Sequence, residues 1–283
     1  MLGIVTFQIV AFVALAVIWG AVAWSWLLPS DHGTGPASPL ASPATLGAAF
    51  LLGPAILVRA WNHSWTILGE YEGPLWPAIT SYVKYTPQGT AAAVMLAVSA
   101  LLCVYLALLL RALPLRLQAL GVLPFCVVLA IAQSAQGHAQ ILRAAVLASA
   151  VDALHFVAAL CWVGGLAHLA MWSSWGIAVP QASLRAFSRL ATACVSILLL
   201  TGPATYALHF RARLAPLASP WGYALIGKVT IATLMIALAA GNRRDVRAGA
   251  PPARRRVLVE LALGALALGV SSALTQLDPH QVP

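Results

Sequence analysis

The chain has 283 residues, of which 61% are hydrophobic and only 8% charged, and its mean hydropathy is +0.89. A soluble globular domain does not have this composition, so the sequence predicts an all-α protein with several membrane-spanning helices. The formal net charge of +9 does not indicate nucleic-acid binding, because the basic residues lie at the ends of apolar runs.

Eight apolar runs are long enough to cross a hydrocarbon core of about 30 Å as helices. They cover about residues 3–28, 45–60, 88–110, 117–136, 145–172, 184–208, 219–241 and 256–276. The first run lacks a basic start and is about twice as long as the apolar core of a signal peptide, so we interpret it as a helix. Residues 1–283 are therefore expected to form one membrane domain, with a first half at 1–136 and a second at 138–279.

The basic residues predict the orientation of these spans. Ten lie in the odd-numbered connections and five in the even-numbered ones. Because basic residues concentrate in cytoplasmic connections, the odd-numbered connections are expected to be cytoplasmic and both termini extracytoplasmic. Most of the difference comes from the arginines between the last two spans, Arg243, Arg244, Arg247, Arg254, Arg255 and Arg256.

The second connection, residues 61–86, is rich in aromatic side chains. This density indicates a segment that lies on the outer membrane surface in contact with lipid. A role in collecting metal or docking a partner is the alternative. The aromatic residues are Trp61, Trp65, Tyr71, Trp76 and Tyr82, and the polar residues among them are His63, Glu70 and Glu72.

The fifth span carries ionisable groups, which are costly inside a membrane and usually face the interior of a helix bundle. Asp152 and His155 are three residues apart, and Trp162 lies seven residues beyond His155, so all three share one helix face. Beside this face runs a stripe of small residues that would let another helix approach closely. Its members are Ala158, Cys161 and Gly165.

Lys228, in the seventh span, is expected at nearly the depth of Asp152. Both spans enter from the outer side, and the positions differ by roughly 3 Å at 1.5 Å per residue. The pair is open to two interpretations. It is either an ion pair that holds two helices together, or part of a site with His155, whose imidazole would serve as a metal ligand or proton carrier.

Four cysteines lie inside predicted spans without CxxC spacing, which argues against disulfides and zinc knuckles. They are Cys103, Cys126, Cys161 and Cys194. Their similar depth would suit a soft ion such as Cu(I), but ordinary packing is the favoured explanation of buried cysteines. The sequence holds no Walker loop, so it does not indicate ATP-driven pumping.

Further histidines are predicted on the outer half, where His138, His209 and His63 could help to collect a metal for His155. Glu260 is near the start of the last span, and we interpret it as complementing the basic residues Arg254 to Arg256 and the helix N-terminus. The predicted metal ligands in the spans are His155, Asp152 and Cys161. The residues with supporting roles are Lys228, Trp162 and Glu260.

These residues resemble the copper resistance protein D family, represented by CopD and PcoD. The resemblance begins with Asp152, His155, Trp162, Gly164 and Gly165 as D-x-x-H-x6-W-x-G-G, and it covers about residues 138–279. The remaining matches are AFSRLA (186–191), Thr201 and Gly202, WGYALIGK ending at Lys228, Asn242 and Arg243, RRRVLVE ending at Glu260, and Asp278 with Pro279. The family has a tyrosine at the position of Trp221.

The resemblance implies an eight-helix protein of the inner membrane, with both termini periplasmic, that acts in copper homeostasis. It also implies a periplasmic copper-binding partner of the CopC type, supplied as a separate chain. The leading hypothesis is therefore ATP-independent copper transport in copper resistance, with copper ions as cargo and no enzymatic activity. The alternatives are a b-type haem cytochrome for electron transfer, which would be an oxidoreductase, and a copper-supply or assembly factor for a membrane oxidase.

Overall fold

The computed structural model describes residues 2–29, 38–68, 75–108, 113–136, 145–210 and 215–277. The regular elements of these ranges are all helical, and a short 3-10 turn, Ala215–Ala218, precedes α8. The α-helices are α1 (Leu2–Leu27), α2 (Pro43–Leu68), α3 (Leu75–Tyr85), α4 (Pro87–Leu108), α5 (Leu115–Ser134), α6 (Ala145–Ser174), α7 (Gln181–Phe210), α8 (Pro220–Arg247) and α9 (Arg254–Leu274). All but α3 are long and apolar enough to span a membrane. The prediction of an all-α protein with eight spans is therefore confirmed.

The second span is longer than its apolar run predicted. α2 continues through Pro54 to Leu68, because the polar side chains near its end still allow helical backbone hydrogen bonding. The hydroxyl of Ser64, for example, donates a hydrogen bond to the carbonyl of Trp61 at 2.7 Å, so this polar side chain is satisfied within the helix. The connection that follows contains α3, an additional short helix whose Trp76 is 72% exposed, as expected for a segment that meets lipid headgroups.

α1 is the central helix of the bundle. It packs against α2, α5, α6, α7 and α9, and Leu15, Ile18 and Trp24 are each fully buried. Lipid tails are as apolar as these side chains, so close packing of the helices, and not transfer out of water, holds such a core together.

The closest approach in the core is between α1 and α6. A Cβ atom at Gly164 would lie 1.7 Å from the carbonyl oxygen of Ala16, and one at Gly20 would lie 2.2 Å from the backbone of Gly164. α1 is therefore received at Gly164, the residue before Gly165 of the predicted small-residue stripe. Gly165 instead makes room for the Phe187 ring of α7, which a Cβ would meet at 2.1 Å.

Aromatic rings and two long-range hydrogen bonds secure this contact. The Trp24 indole donates to the carbonyl of Gly165 at 2.9 Å. It also stacks on Phe187 at 4.9 Å and meets Trp172 edge-on at 5.0 Å. His168 of α6 donates from Nε2 to the carbonyl of Val17 at 3.0 Å, since a carbonyl can only accept.

α8 lies at the edge of the bundle and packs mainly on α9. Its start is well defined, because Ser219 caps the helix by accepting a hydrogen bond from the amide of Gly222 at 3.2 Å, and Pro220 occupies the first turn. α8 and α9 are joined at the end of the bundle that carries Arg243 to Arg256, together with the connection between α6 and α7. We refer to this end as the arginine-rich end.

Candidate functional site

His155 is held by a side chain of α7. Its Nδ1 lies 2.8 Å from the hydroxyl oxygen of Thr201, and that hydroxyl donates its own proton to the carbonyl of Ile197 at 2.7 Å. Thr201 can then only accept from the imidazole, so His155 carries its proton on Nδ1. The lone pair is consequently on Nε2, which has no hydrogen-bond partner within the described ranges. A neutral imidazole oriented in this way is suited to ligate a metal through Nε2.

α7 lies directly against this ring. Gly202 lies beside it, and a Cβ added at Gly202 would be 3.7 Å from Cε1 of His155. Pro203 follows inside the helix and removes one backbone hydrogen bond of α7 at this level. The segment Thr201-Gly202-Pro203 therefore combines a hydroxyl acceptor, a small residue and a local interruption of the helix opposite His155.

Asp152 lies on the same side of α6 and meets the same helix. Its carboxylate accepts a hydrogen bond from the hydroxyl of Thr205 at 2.9 Å. α6 and α7 run antiparallel. His155 therefore lies against Thr201, and Asp152, one turn earlier on α6, lies against Thr205, one turn later on α7. Thr205 was not predicted from the sequence, although two threonines four residues apart on α7 share one helix face, as Asp152 and His155 do on α6.

Lys228 joins this group from α8. It interacts electrostatically with both Asp152 and His155, so the three residues predicted to form a cluster are brought together. Nearby, Tyr206 and Trp221 stack with ring centroids 6.3 Å apart and link α7 to α8. Whether the cluster binds a metal stays a prediction.

Two of the predicted outer histidines cannot be placed. His138 lies outside the described residues, and the side chain of His209 is not described, although its backbone belongs to α7. His63 lies on α2, a helix that packs on α1, α3 and α4. The structure therefore places His63 apart from the Asp152 and His155 group.

The surroundings of His63 are aromatic and basic. Its ring meets Tyr82 edge-on at 6.1 Å, and Arg59 donates to the side-chain oxygen of Gln133 at 2.9 Å. Burial raises the pKa of the Tyr82 phenol above its ordinary value, while Arg59 acts in the opposite direction. Tyr82 is therefore neutral at physiological pH and does not supply a negative charge beside Arg59.

The cysteines divide into two groups. Cys161 lies within electrostatic range of Cys126 on α5 and Cys194 on α7. Cys103 is elsewhere, on α4, where its thiol donates to the carbonyl of Ala49 at 3.2 Å. Over the six described ranges, no three His, Cys, Asp or Glu side chains are placed to hold a metal ion together. Cys161 therefore contributes no closed thiolate site.

The interpretation of Glu260 is wrong. Its side chain is 1% exposed and does not complement Arg254 to Arg256. Instead, its Oε1 accepts from the indole of Trp162 at 3.0 Å, and its Oε2 accepts from the side-chain amide of Asn242 at 2.8 Å. The residues of the basic segment are engaged differently, because Arg256 pairs with Asp245 and Arg254 donates to Ser174.

A cavity of about 200 Å³ lies beside this carboxylate, between α6, α7, α8 and α9. Its walls are mostly apolar and it extends to Pro252 in the connection between α8 and α9, so it reaches the arginine-rich end. Arg243 also lines it and donates to the hydroxyl of Thr192 at 2.6 Å. The polar residues of the wall are Trp162, Ser188, Thr192, Asn242, Arg243 and Glu260.

The comparison with known families concerns the last three helices. Residues 181–274 match the family model described as copper resistance protein D, CopD. The matched residues form helices α7 to α9. No curated protein and no solved structure gives a match.

The match confirms the resemblance seen in the sequence. It covers the residues that α7, α8 and α9 contribute to the site, but not those of α6. The CopD region, residues 181–274, supplies Thr201, Thr205 and Lys228 around the imidazole, as well as Asn242 and Glu260 beside the cavity. α6 precedes the matched residues. The part of the resemblance that rests on Asp152, His155 and Trp162 therefore depends on their contacts with the CopD region.

Proposed function

We propose that the protein moves copper ions across, or into, the inner membrane without ATP, as part of copper resistance. The observation that carries the proposal is the orientation of His155. Its Nδ1 is committed to Thr201, Nε2 is left for a ligand, and the residue that orients it belongs to the CopD region.

The cluster around His155 is better suited to binding a copper ion transiently during transport than to holding it permanently. One imidazole and one carboxylate are fewer ligands than a closed metal site supplies, and a transport path needs sites that bind a cation without retaining it. Lys228 already provides a positive charge to Asp152. An arriving copper ion would compete with Lys228 for the carboxylate, which favours release once the ion has passed.

The two ends of the path are assigned from the predicted topology. Copper would enter from the periplasmic side at Asp152 and His155 and leave toward the arginine-rich end. His138 and His209 are proposed to complete the outer mouth. A CopC-type periplasmic protein, supplied as a separate chain, would deliver the ion, and both termini would face the periplasm.

The test compares three purified proteins: wild type, His155→Ala and His168→Phe. His168 is the matched control, because it is a second buried histidine on α6 whose Nε2 is bound to Val17. Copper content and an absorption spectrum are measured after exposure to copper. We expect copper to be retained by the wild type and His168→Phe and lost by His155→Ala. Equal copper content in all three proteins would overturn the proposal.

The same spectra test the haem alternative. A free Nε2 on His155 would also suit haem iron, whereas His168 donates from Nε2 to Val17 and its Nδ1 is buried in the packed core. A Soret band that is present in the wild type and absent from His155→Ala would replace copper transport by a b-type cytochrome. The assembly-factor alternative makes a different prediction. It would be favoured if the protein kept its role in copper resistance when His155 is changed and lost it when residues 61–86 are changed.

A further inference from the structure

Glu260 is a buried carboxylate without an ion-pair partner in the described part of the chain. Its two oxygens accept hydrogen bonds from neutral groups, the Trp162 indole at 3.0 Å and the Asn242 amide at 2.8 Å. A charge in such surroundings is costly unless it is paired or exchanged for a proton. The cavity beside it reaches the arginine-rich end and offers a route by which a proton can arrive.

Asn242 shows what protonation would change. Its Nδ2 donates to Glu260, but its Oδ1 is buried and has no hydrogen-bond partner. An ionised carboxylate can only accept, so it cannot satisfy this oxygen. A protonated Glu260 has one O–H donor, which lies beside the Asn242 amide. Acid and amide can then exchange two hydrogen bonds, and the buried amide oxygen gains its missing donor.

We propose that Glu260 and Asn242 form a proton-binding site, loaded from the cavity at the arginine-rich end. One proton adds to one Glu260 oxygen and is donated to Asn242 Oδ1, while Trp162 keeps its hydrogen bond to the carboxyl group. Release reverses these steps and returns the proton to the cavity. Glu260 is the group that binds the proton, and Asn242 is a positioning residue.

The charged groups around Glu260 are few. α8 contributes Arg243, which lines the cavity and is bound to Thr192. On α9 itself, Arg256 is paired with Asp245 of α8. α1 has no charged residue, α6 has only Asp152, and α7 has Arg185 and Arg189, neither of which lines the cavity. Among the described residues, Arg243 is the one cation in the cavity wall.

The site is connected to His155 through a rigid element. Trp162, which holds Glu260, follows His155 on α6 by seven residues, or about 10 Å along a helix. A shift of α6 on copper binding would therefore move the indole donor relative to Glu260. Resting on the proposed function, this geometry predicts that copper moves in exchange for protons.

Protonation is tested first without copper, by infrared difference spectroscopy of the purified wild type during stepwise acidification. A protonated carboxyl band should rise in the wild type, be lost in Glu260→Gln and persist in Asp245→Asn, the matched control on the same pair of helices. Asn242→Ser should move the band to higher wavenumber, because the carboxyl O–H loses an acceptor. A titrating band that is the same in Glu260→Gln as in the wild type, or the absence of a band, would overturn the proton site. An unmoved band in Asn242→Ser would overturn the role of Asn242.

Coupling is tested in liposomes that contain a trapped pH indicator, to which copper is added outside. We expect a copper-driven pH change in the wild type and its loss in Glu260→Gln, with copper binding retained. If Glu260 titrates but no copper moves, copper transport fails and the proton site stands. If copper moves equally in the wild type and Glu260→Gln without a pH change, the coupling fails and copper transport stands.

Discussion

The contact between α1 and α6 predicts a large effect of a single methyl group. In Gly164→Ala, the new Cβ would lie 1.7 Å from the carbonyl oxygen of Ala16, whereas ordinary contact begins at 3.4 Å. The neighbouring atoms belong to backbone, so no side chain can rotate away. The two helices must separate by about 1.7 Å, which corresponds to the upper end of the usual cost of overpacking, about 3 kcal/mol.

Separation also stretches two hydrogen bonds between these helices. They run from Trp24 to Gly165 at 2.9 Å and from His168 to Val17 at 3.0 Å, and each contributes about 1 kcal/mol. The gain in helix propensity from glycine to alanine offsets about 1 kcal/mol. We therefore expect a net destabilisation of about 4 kcal/mol, or an apparent Tm lower by roughly 10 °C for a chain of this size.

The assay is the fraction of monodisperse protein that remains in detergent after heating to a series of temperatures. Gly227→Ala is the matched control, because a Cβ at Gly227, within α8, has nothing within 4 Å. The control should unfold at or slightly above the wild-type temperature. If Gly164→Ala and Gly227→Ala shared the wild-type Tm, the helices would not touch as described.

Three further predictions concern the polar groups of α6. Thr201→Val should weaken copper binding by about 10- to 100-fold, because it removes the acceptor that orients His155, whereas Thr201→Ser should restore binding, as measured by copper titration. Lys228→Gln should strengthen copper binding about tenfold, the equivalent of about 1.4 kcal/mol, because it removes the competitor for Asp152; weaker binding in the same titration would contradict that role. His168→Phe should lower the Tm by a few degrees and leave copper affinity unchanged, because it removes only the bond to Val17, and a loss of affinity would refute this separation of roles.

The spans were predictable because hydropathy reports directly on helices that must satisfy their own backbone in lipid. The end of α2 was not, since helical hydrogen bonding continues beyond the end of the uninterrupted apolar run at residue 60. Asn62, His63 and Ser64 are polar enough to end an apolar run without ending the helix. α3 was predicted only as a surface segment, because a helix of 11 residues leaves a short periodic signal.

The functional groups were predictable as a set of residues but not as a set of contacts. Asp152, His155 and Lys228 stand out because ionisable groups are rare in spans. Glu260 also stood out, yet its position near three arginines suggested the wrong neighbours. Its donors come from 98 residues earlier and 18 residues earlier in the chain, and sequence spacing does not report on pairing between helices.

The central position of α1 has a consequence for how the protein is made. α1 is synthesised well before its tightest partner, α6, and the hydrogen bond from Trp24 to Gly165 joins residues 141 positions apart. At about 5–20 residues per second, the ribosome needs roughly ten seconds or more to supply that partner. During this interval α1 would rest in the bilayer or beside the insertion machinery with its glycine face uncovered. The bond from Ser272 to the carbonyl of Val5 spans 267 positions, so the packing around α1 is completed only after α9 has been synthesised.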